Sequence, residues 1–380
     1  MTRRVLVVGT STYNKGAELM HAAIQQELAR AGLGRVIVPG GFGPVEDRAR
    51  YAADLYVEPD RFHRDRIGRA LVPGRMRAAL GLAWDDDFHA VIDASGFAFS
   101  DDLGLKRIQG AANEFARWRR QGKPIVLLPQ ALGPFKNPDI RAAMRSICES
   151  ASLIYAREDT SWAHLQSVAP DASKIRKAGD FTVLVEPAGS TACDAPSGGL
   201  CVVPNKRMVT NTSDGVAQRY VEFLRRVIQQ FVEEGVLVWV LVHDRGDHEL
   251  AREVAKSCRE DVPIWHHEDA RMLKAALGRA DMVLASRFHA LVSALCQGVP
   301  SVATSWSFKY SELMREYGIE DKVIDLDADD GSPLVEMRSA WANSSAMKSA
   351  IQSRRSGITA RCLAMWSEIF GRLEPSRGAI

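Results

Sequence analysis

The chain has 380 residues, of which 46% are hydrophobic and 25% are charged, so it is long enough for two globular domains and is not expected to be disordered. Lys and Arg number 49 against 47 for Asp and Glu, which gives a net charge of +2. This balance excludes a general positive field for nucleic acid or an anionic membrane, so any anion site must be local.

Short β-branched runs alternate with longer helical patterns through the first half of the chain. Strands are predicted at residues 4–8, 35–38, 90–93, 124–129, 153–155 and 181–185. Helices are predicted after the first strand, where Met20, Ile24 and Leu28 are spaced four apart, and over residues 105–121 and 139–150. This alternation predicts a parallel, doubly wound sheet of the α/β class.

Small and turn-forming residues fill positions 187–199, which places a domain boundary there. The same alternation follows, with strands predicted at 200–203, 236–242, 262–265, 282–285 and 301–304 and a clear helix at 214–234. We therefore predict an N-terminal Rossmann-like domain at 1–187, a C-terminal one at 199–335, and final helices at 336–380 that pack back on the N-terminal domain.

The cysteines and apolar runs bear on the compartment. Six cysteines are scattered without a C-x-x-C pair, which is typical of reduced thiols. The apolar run at residues 5–8 is too short for a signal peptide, and no stretch approaches the roughly 18 apolar residues of a membrane span. The sequence predicts a cytoplasmic protein and leaves open an oligomer and a peripheral membrane contact through a lipid-linked substrate.

Polar and glycine-rich segments follow the predicted strands. They lie at residues 9–16, 95–102, 130–134, 157–159, 286–289 and 306–309. In an open parallel sheet, ligands bind outside the carboxyl ends of the strands, near helix N-termini. Two such edges facing one another would form a cleft for an anionic donor and a polar acceptor. Helix capping explains Gly, Ser, Asp and Asn equally well, but it requires none of the Arg, His and Lys residues after the later strands.

Those basic residues are the candidates for anion binding. Arg287 offers a planar fork for a carboxylate or phosphate, with Ser286 before it and His289 near the predicted helix start. The alternative is that Arg287 pairs with a nearby acid and His289 is a capped core histidine. Lys309 is a second phosphate ligand or a solvated loop lysine. Arg157 could reach the cleft from the first domain, although the two acids after it are ready partners.

Other site classes are not supported. Residues 9–16 match neither the dinucleotide fingerprint nor the P-loop, and no nucleophile elbow occurs. The histidine-containing segments 243–248 and 266–269 lack helical ligand spacing. We therefore predict no metal site and no catalytic zinc.

Six short motifs occur in an order that resembles the polysaccharide pyruvyl transferase family, over about residues 5–320. They are Asn14-Lys-Gly-Ala-Glu18, Pro129-Gln-Ala-Leu-Gly-Pro-Phe135, Ala156-Arg-Glu-Asp159, Ala178-Gly-Asp-Phe181, Ser286-Arg-Phe-His-Ala290, and Gly298-Val-Pro300 leading to Lys309. The resemblance implies two Rossmann-like domains facing across a cleft, a glycosyltransferase-B-like fold. It implies phosphoenolpyruvate as co-substrate, no other cofactor, and a ketal formed on two hydroxyls of one sugar.

The resemblance also assigns residues. It implies that the C-terminal domain binds the donor through Arg287 and His289, with Arg157 as a helper. We add Ser286 and Lys309 on the donor side, with His289 as the general acid or base. On the acceptor side we predict Asn14, Glu18, Asp101, Asp102 and Gln130 as ligands of sugar hydroxyls. The family often has a Gly-Gly pair after the third strand, where this chain has Ala94-Ser-Gly96, so the acceptor stays open.

Two other functions stay open on the residues alone. The first is a glycosyltransferase that uses a nucleotide sugar, because such enzymes share the expected architecture. The second is a non-catalytic binding protein of the same fold.

Overall fold

The structure, a computed structural model, describes residues 4–33, 35–59, 72–189, 193–256, 261–304, 308–326 and 332–373. The chain divides into two units. Unit 1 comprises Met1–Phe181 with Arg361–Ile380, and unit 2 comprises Thr182–Ala360. Residues 190–192 of the predicted boundary segment, and 306–307 of the predicted lysine loop, lie outside the described residues.

Unit 1 contains an eight-stranded parallel sheet in the order β4-β3-β2-β1-β5-β6-β7-β8. The strands are β1 (Val5–Val8), β2 (Val36–Val38), β3 (Asp54–Tyr56), β4 (Leu82–Ala83), β5 (Ala90–Asp93), β6 (Ile125–Gln130), β7 (Leu153–Ala156) and β8 (Ile175–Lys177). All four residues of β5 and all six of β6 are buried. Continuous apolar runs of this kind are typical of strands covered on both faces.

The helices of unit 1 span Lys15–Arg30, Val45–Arg50, Gly74–Ala79, Leu105–Arg120, Pro138–Ser150 and Asp159–Gln166. Two of them begin at an asparagine cap. Asn14 caps the first helix through Oδ1, which accepts a hydrogen bond from the Ala17 N–H at 3.0 Å. Asn137 does the same before the helix that starts at Pro138.

Unit 2 contains a six-stranded parallel sheet in the order β11-β10-β9-β12-β13-β14. Its strands are β9 (Leu200–Val203), β10 (Val238–Val242), β11 (Ile264–His266), β12 (Met282–Ala285), β13 (Ser301–Thr304) and β14 (Val323–Ile324). Its helices span Arg207–Thr210, Asp214–Glu233, His248–Ala255, Ala270–Leu277, Phe288–Leu295, Phe308–Glu316 and Ser332–Ala342. The final helix, Ser344–Leu373, starts in unit 2 and ends in unit 1. No helix in the described ranges is both long and apolar enough to cross a membrane.

These topologies confirm the predicted pair of doubly wound sheets. In each sheet the chain winds outward in one direction and then returns to start again beside its first strand. The reversal falls between β1 and β5 in unit 1 and between β9 and β12 in unit 2. Such a switch point leaves a crevice at the carboxyl ends of two neighbouring strands, where α/β sheets bind ligands.

One predicted strand is wrong. Residues 181–185 were expected to continue the first sheet, but Phe181–Leu184 forms a 3-10 helix. The buried ammonium of Lys274 donates to the Thr182 carbonyl oxygen at 2.8 Å. That carbonyl is therefore satisfied by a side chain rather than by a neighbouring strand.

Candidate functional site

A buried polar network shapes the switch point of unit 2. The Ser286 carbonyl oxygen accepts hydrogen bonds from Asn205 Nδ2 at 2.7 Å and from the Tyr310 hydroxyl at 2.8 Å. The Ser286 hydroxyl contacts the Tyr220 hydroxyl at 2.8 Å and Thr304 Oγ1 at 2.5 Å. These groups come from four different elements and are all buried. A satisfied network of this kind fixes the backbone at the end of β12, immediately before Arg287.

Arg287 is paired with an acid. Its Nε and one terminal nitrogen donate to the two carboxylate oxygens of Asp247 at 2.8 and 2.6 Å, and Asp244 lies 3.9 Å away. Burial alone would lower the pKa of Arg287, but the Asp247 and Asp244 carboxylates outweigh burial and raise it. The side chain is 13% exposed and Asp247 is fully buried. The guanidinium is a permanent, oriented cation, and the N–H groups that Asp247 does not engage are the ones that could bind a ligand.

Phe288 brings two other predicted residues to the same place. The Lys309 ammonium lies 5.5 Å from the Phe288 ring centroid, within the range of a cation–π contact. The His289 ring meets the Phe288 ring edge-on at 5.4 Å. Both side chains are partly exposed, and His289 lies in the first turn of helix Phe288–Leu295. Arg287, His289 and Lys309 therefore lie near one another at the edge of the unit 2 sheet, and their role as donor-site residues stays a prediction.

Sequence reasoning missed several residues at this edge. Asp247 belongs to the loop after β10, and its Oδ1 also accepts from the Lys206 N–H at 2.9 Å. Lys206 and Arg207 follow β9 at the switch point, and their side chains are exposed. Within the described residues, neither of these two side chains forms an ion pair. The rule that ligands bind after strand ends would have found both cations, had it been applied to β9.

The switch point of unit 1 is built around a buried aspartate. Asp93, at the end of β5, accepts hydrogen bonds from the Ser95 hydroxyl at 2.9 Å, the Ser95 N–H at 3.2 Å and Gln130 Nε2 at 3.1 Å. Burial raises the pKa of Asp93, and these hydrogen bonds only partly oppose the shift. Gly9, which follows β1 with φ +81°, allows the close approach, because a Cβ there would collide with Ser95. Gln130 is thus a buried neighbour of Asp93.

Two predicted acceptor ligands have structural partners at the start of the first helix. Asn14 is exposed but serves as the helix cap. Glu18 is fully buried, and its carboxylate meets Lys15 Nζ at 2.8 Å, Arg50 at 2.9 Å and the Tyr51 hydroxyl at 3.0 Å. The carboxylate oxygens of Glu18 are therefore held inside unit 1 by two cations and a phenol.

Asp101 and Asp102 lie together after β5 but differ in role. Asp101 accepts from the Lys136 N–H at 3.0 Å and the Asn137 N–H at 2.8 Å. Burial would raise the pKa of Asp101, but these two N–H donors reverse the effect and lower it. Asp102 is exposed and forms no hydrogen bond or ion pair with any described residue. Asp101 joins two loops, whereas Asp102 is presented to solvent.

Arg157 follows β7 and is largely buried, with 8% of its side chain exposed. Its guanidinium lies 3.4 Å from Glu158 and 3.8 Å from Asp180. Glu158, which follows Arg157 in the sequence, is therefore one of its partners, and Asp180, which follows β8, is a second.

The histidine segments have local contacts. His266 meets the Val242 carbonyl oxygen at 3.2 Å and Glu268 at 3.2 Å, and its ring lies 4.7 Å from that of His248. Across the described ranges, no group of three or more His, Cys, Asp or Glu side chains is placed to hold a metal ion.

Comparison with protein families gives one match across most of the chain. The model of the family described as polysaccharide pyruvyl transferase matches residues 14–307. This range includes Asn14, the residues that follow β5 in unit 1, and the residues that follow β9 and β12 in unit 2.

Solved structures with similar folds include proteins described in complex with UDP-GlcNAc, with UDP, and with UDP and glucose. UDP-GlcNAc 2-epimerase from Neisseria meningitidis, bound to UDP-GlcNAc, has a TM-score of 0.61 and 11% identity over 97% of this chain and 100% of that one. MnaA of S. aureus with UDP has a TM-score of 0.61 and 11% identity over 100% of both chains. HepE from Anabaena with UDP and glucose has a TM-score of 0.54 and 12% identity over 98% and 99%. At this identity the likeness establishes the glycosyltransferase-B fold and nothing finer.

Proposed function

Because the chain belongs to the polysaccharide pyruvyl transferase family, we propose that it transfers the pyruvyl group of phosphoenolpyruvate to sugar hydroxyls and forms a ketal. The observation that carries this proposal is the group of cations at the carboxyl edge of the unit 2 sheet. Arg287 is fixed by Asp247, Lys309 lies beside Phe288, and Lys206 and Arg207 are exposed after β9. Phosphoenolpyruvate carries a carboxylate and a phosphate, and such a group of cations suits both.

The donor roles follow from the contacts. The N–H groups of Arg287 that Asp247 leaves available bind the carboxylate, and Lys309 binds the phosphate. His289 donates a proton to the methylene carbon of phosphoenolpyruvate, which leaves an oxocarbenium-like centre at C2. A sugar hydroxyl attacks C2 and loses its proton, and phosphate leaves with the C2–O electron pair. A second hydroxyl of the same sugar then attacks C2 and gives its proton to His289, which closes the ketal and restores the protonated histidine. Cations preorganised at the edge stabilise the charge on the departing phosphate.

The acceptor roles fall to unit 1. Asp102 is an exposed carboxylate that follows β5 and is our candidate for accepting the hydroxyl proton. Asn14 remains a proposed ligand of a sugar hydroxyl through its exposed amide. Glu18 and Asp101 are proposed to act indirectly, because their carboxylate oxygens already accept from protein groups. Gln130 is also proposed to act indirectly, because it is buried and its Nε2 donates to Asp93.

We place the protein in the cytoplasm. Cys148, Cys193, Cys201, Cys296 and Cys362 are free thiols, which is the state that a reducing compartment maintains.

The test compares two donors. The purified protein is incubated with phosphoenolpyruvate and a panel of glycosides, and in parallel with a panel of UDP-sugars. Release of inorganic phosphate together with a product heavier by one pyruvyl group supports the proposal. Release of UDP instead would identify a nucleotide-sugar enzyme, and binding without turnover of either donor would identify a binding protein. His289→Ala is expected to abolish phosphate release, while His267→Ala, in the same unit, is the matched control and should retain it.

A further inference from the structure

Two aromatic side chains stand out by their exposure. Tyr13 is 62% exposed and Phe97 is 38% exposed. No other Phe, Tyr or Trp whose side chain the structure describes is exposed to this degree. Most aromatic side chains of this chain are core residues, so two that face solvent call for an explanation.

Both of these side chains follow strands that meet at the switch point of unit 1. Tyr13 lies in the loop between β1 and the helix Lys15–Arg30, and Phe97 lies in the loop after β5. The two loops touch, because Gly9 of the first lies directly against Ser95 of the second. The crevice of an open α/β sheet forms at this point, which is where a ligand of unit 1 is expected.

The backbone holds both residues in place. Thr12 is 3% exposed and donates its N–H to the Phe42 carbonyl oxygen at 2.8 Å. This hydrogen bond holds the loop next to Tyr13, whose side chain is exposed to solvent. The Phe97 N–H donates to the Ser95 carbonyl oxygen at 2.7 Å, and the Gly96 carbonyl oxygen accepts from the Ala131 N–H at 2.9 Å. The aromatic rings are thus displayed from ordered loops.

We propose that Tyr13 and Phe97 form an aromatic platform on which a sugar ring of the acceptor lies. The proposal rests on the proposed function, which requires a carbohydrate beside the pyruvyl donor. Sugar rings have apolar C–H faces and polar hydroxyl edges, and an aromatic ring packs against the former while nearby polar groups bind the latter. The polar groups in the segment after β5 that carries Phe97 include the exposed Asp102 carboxylate and the partly exposed Ser95 hydroxyl, which donates to Asp93. The platform would therefore select for an acceptor with an uncovered C–H face.

The experiment measures sugar binding without phosphoenolpyruvate. Wild type, Tyr13→Ala and Phe97→Ala are applied to a glycan array, and methyl glycosides of the retained sugars are titrated by saturation-transfer NMR. Each variant is expected to weaken glycoside binding about tenfold. The conservative variants Tyr13→Phe and Phe97→Tyr should restore it, because they keep the ring. Leu80→Ala is the matched control, since Leu80 is 61% exposed in the same unit but precedes β4 at the opposite edge of the sheet.

The outcomes separate this proposal from the proposed function. Weakened glycoside binding in both alanine variants, without any pyruvyl transfer in the wild type, would support the platform and refute the transfer. Pyruvyl transfer with the same acceptor KM in wild type, Tyr13→Ala and Phe97→Ala would refute the platform alone. Retention of no glycan by the wild type would also refute it. Loss of co-sedimentation with phosphatidylglycerol vesicles, with glycan binding intact, would show that these side chains contact a membrane instead.

Discussion

Replacing Arg287 by Ala would test whether the Arg287–Asp247 pair stabilises the carboxyl edge of the unit 2 sheet. The two side chains share two hydrogen bonds of 2.8 and 2.6 Å, and Asp247 is fully buried while Arg287 is 13% exposed. In Arg287→Ala, the carboxylate of Asp247 would remain in the interior with the Lys206 N–H as its nearest described donor. Removing one partner of a buried ion pair costs about 3–5 kcal/mol of unfolding free energy.

This cost is large enough to measure. For a unit of the size of Thr182–Ala360, each kcal/mol changes Tm by about 2–4 °C, so Arg287→Ala should lower the Tm of unit 2 by roughly 6–20 °C. Differential scanning calorimetry reports that transition. The double variant Arg287→Met with Asp247→Asn should regain most of the loss, because it removes both charges and keeps similar volumes.

Lys206→Ala is the control for this experiment, and two results would refute the reasoning. Lys206→Ala removes an exposed side chain from the loop after β9 and keeps the N–H that donates to Asp247, so its Tm should stay within about 2 °C of wild type. The reasoning is refuted if Arg287→Ala melts at the wild-type temperature. It is equally refuted if the double variant is no more stable than the single one, since the loss would then come from packing rather than from an isolated charge.

Three further measurements follow from buried polar groups. Burial lowers the pKa of His21 to about 3, so below pH 6.5 the unfolded chain takes up a proton that the folded chain does not. The free energy of unfolding is therefore highest above about pH 6.5 and falls by about 2 kcal/mol at pH 5. Urea unfolding above pH 6.5 and at pH 5 should show that His21→Gln loses this pH dependence. Burial raises the pKa of Asp93, so the stability that Asp93 contributes is full below about pH 4 and is lost as the pH rises toward the pKa in the folded state. Asp93→Asn should raise Tm at pH 8, because an amide carries no charge and can donate to Gln130 Oε1. A lower Tm for this variant would contradict the prediction. Tyr310→Phe removes one of the two hydrogen bonds to the Ser286 carbonyl oxygen and should cost about 1 kcal/mol in urea unfolding, whereas no change would show that the network does not stabilise the loop.

The sequence was most informative where strands are buried on both faces. Residues 200–203, 282–285 and 301–304 were predicted as strands, and β9, β12 and β13 have the same bounds. A continuous apolar run between turn residues is the direct result of burial in a parallel sheet. The short strands β3, β4, β8 and β14, each of two or three residues, were missed because so few residues carry no periodic signal.

The run at residues 181–185 shows the limit of this reasoning. It is apolar and follows a loop, as a strand would, yet Phe181–Leu184 is a 3-10 helix. The group that satisfies its backbone is Lys274, 92 positions along the chain. A long-range contact of this kind leaves no trace in the local pattern.

The candidate site divides in the same way. The sequence shows which residues follow a predicted strand, and on this basis Arg287, His289 and Lys309 were chosen as candidates. The partner of Arg287 could not be read, because Asp247 lies 40 residues earlier in a different loop. Arg287 can therefore pair with an acid and also bind an anion. Asp247 orients the guanidinium and leaves some of its N–H groups for a ligand.

Each switch point contains a fully or nearly fully buried aspartate, and the two are neutralised differently. Asp247 in unit 2 is balanced by a guanidinium, whereas Asp93 in unit 1 is held by a hydroxyl, an N–H and an amide, and burial raises its pKa. A carboxylate paired with a fixed cation helps to orient that cation for an anionic ligand. Burial favours the neutral form of Asp93, so this carboxyl group adds little charge to the edge of the unit 1 sheet. The exposed rings of Tyr13 and Phe97 follow strands that end at the same edge. The chemistry of the two edges thus favours an anion in unit 2 and a neutral ring in unit 1, which agrees with the donor and acceptor sides of the proposed function.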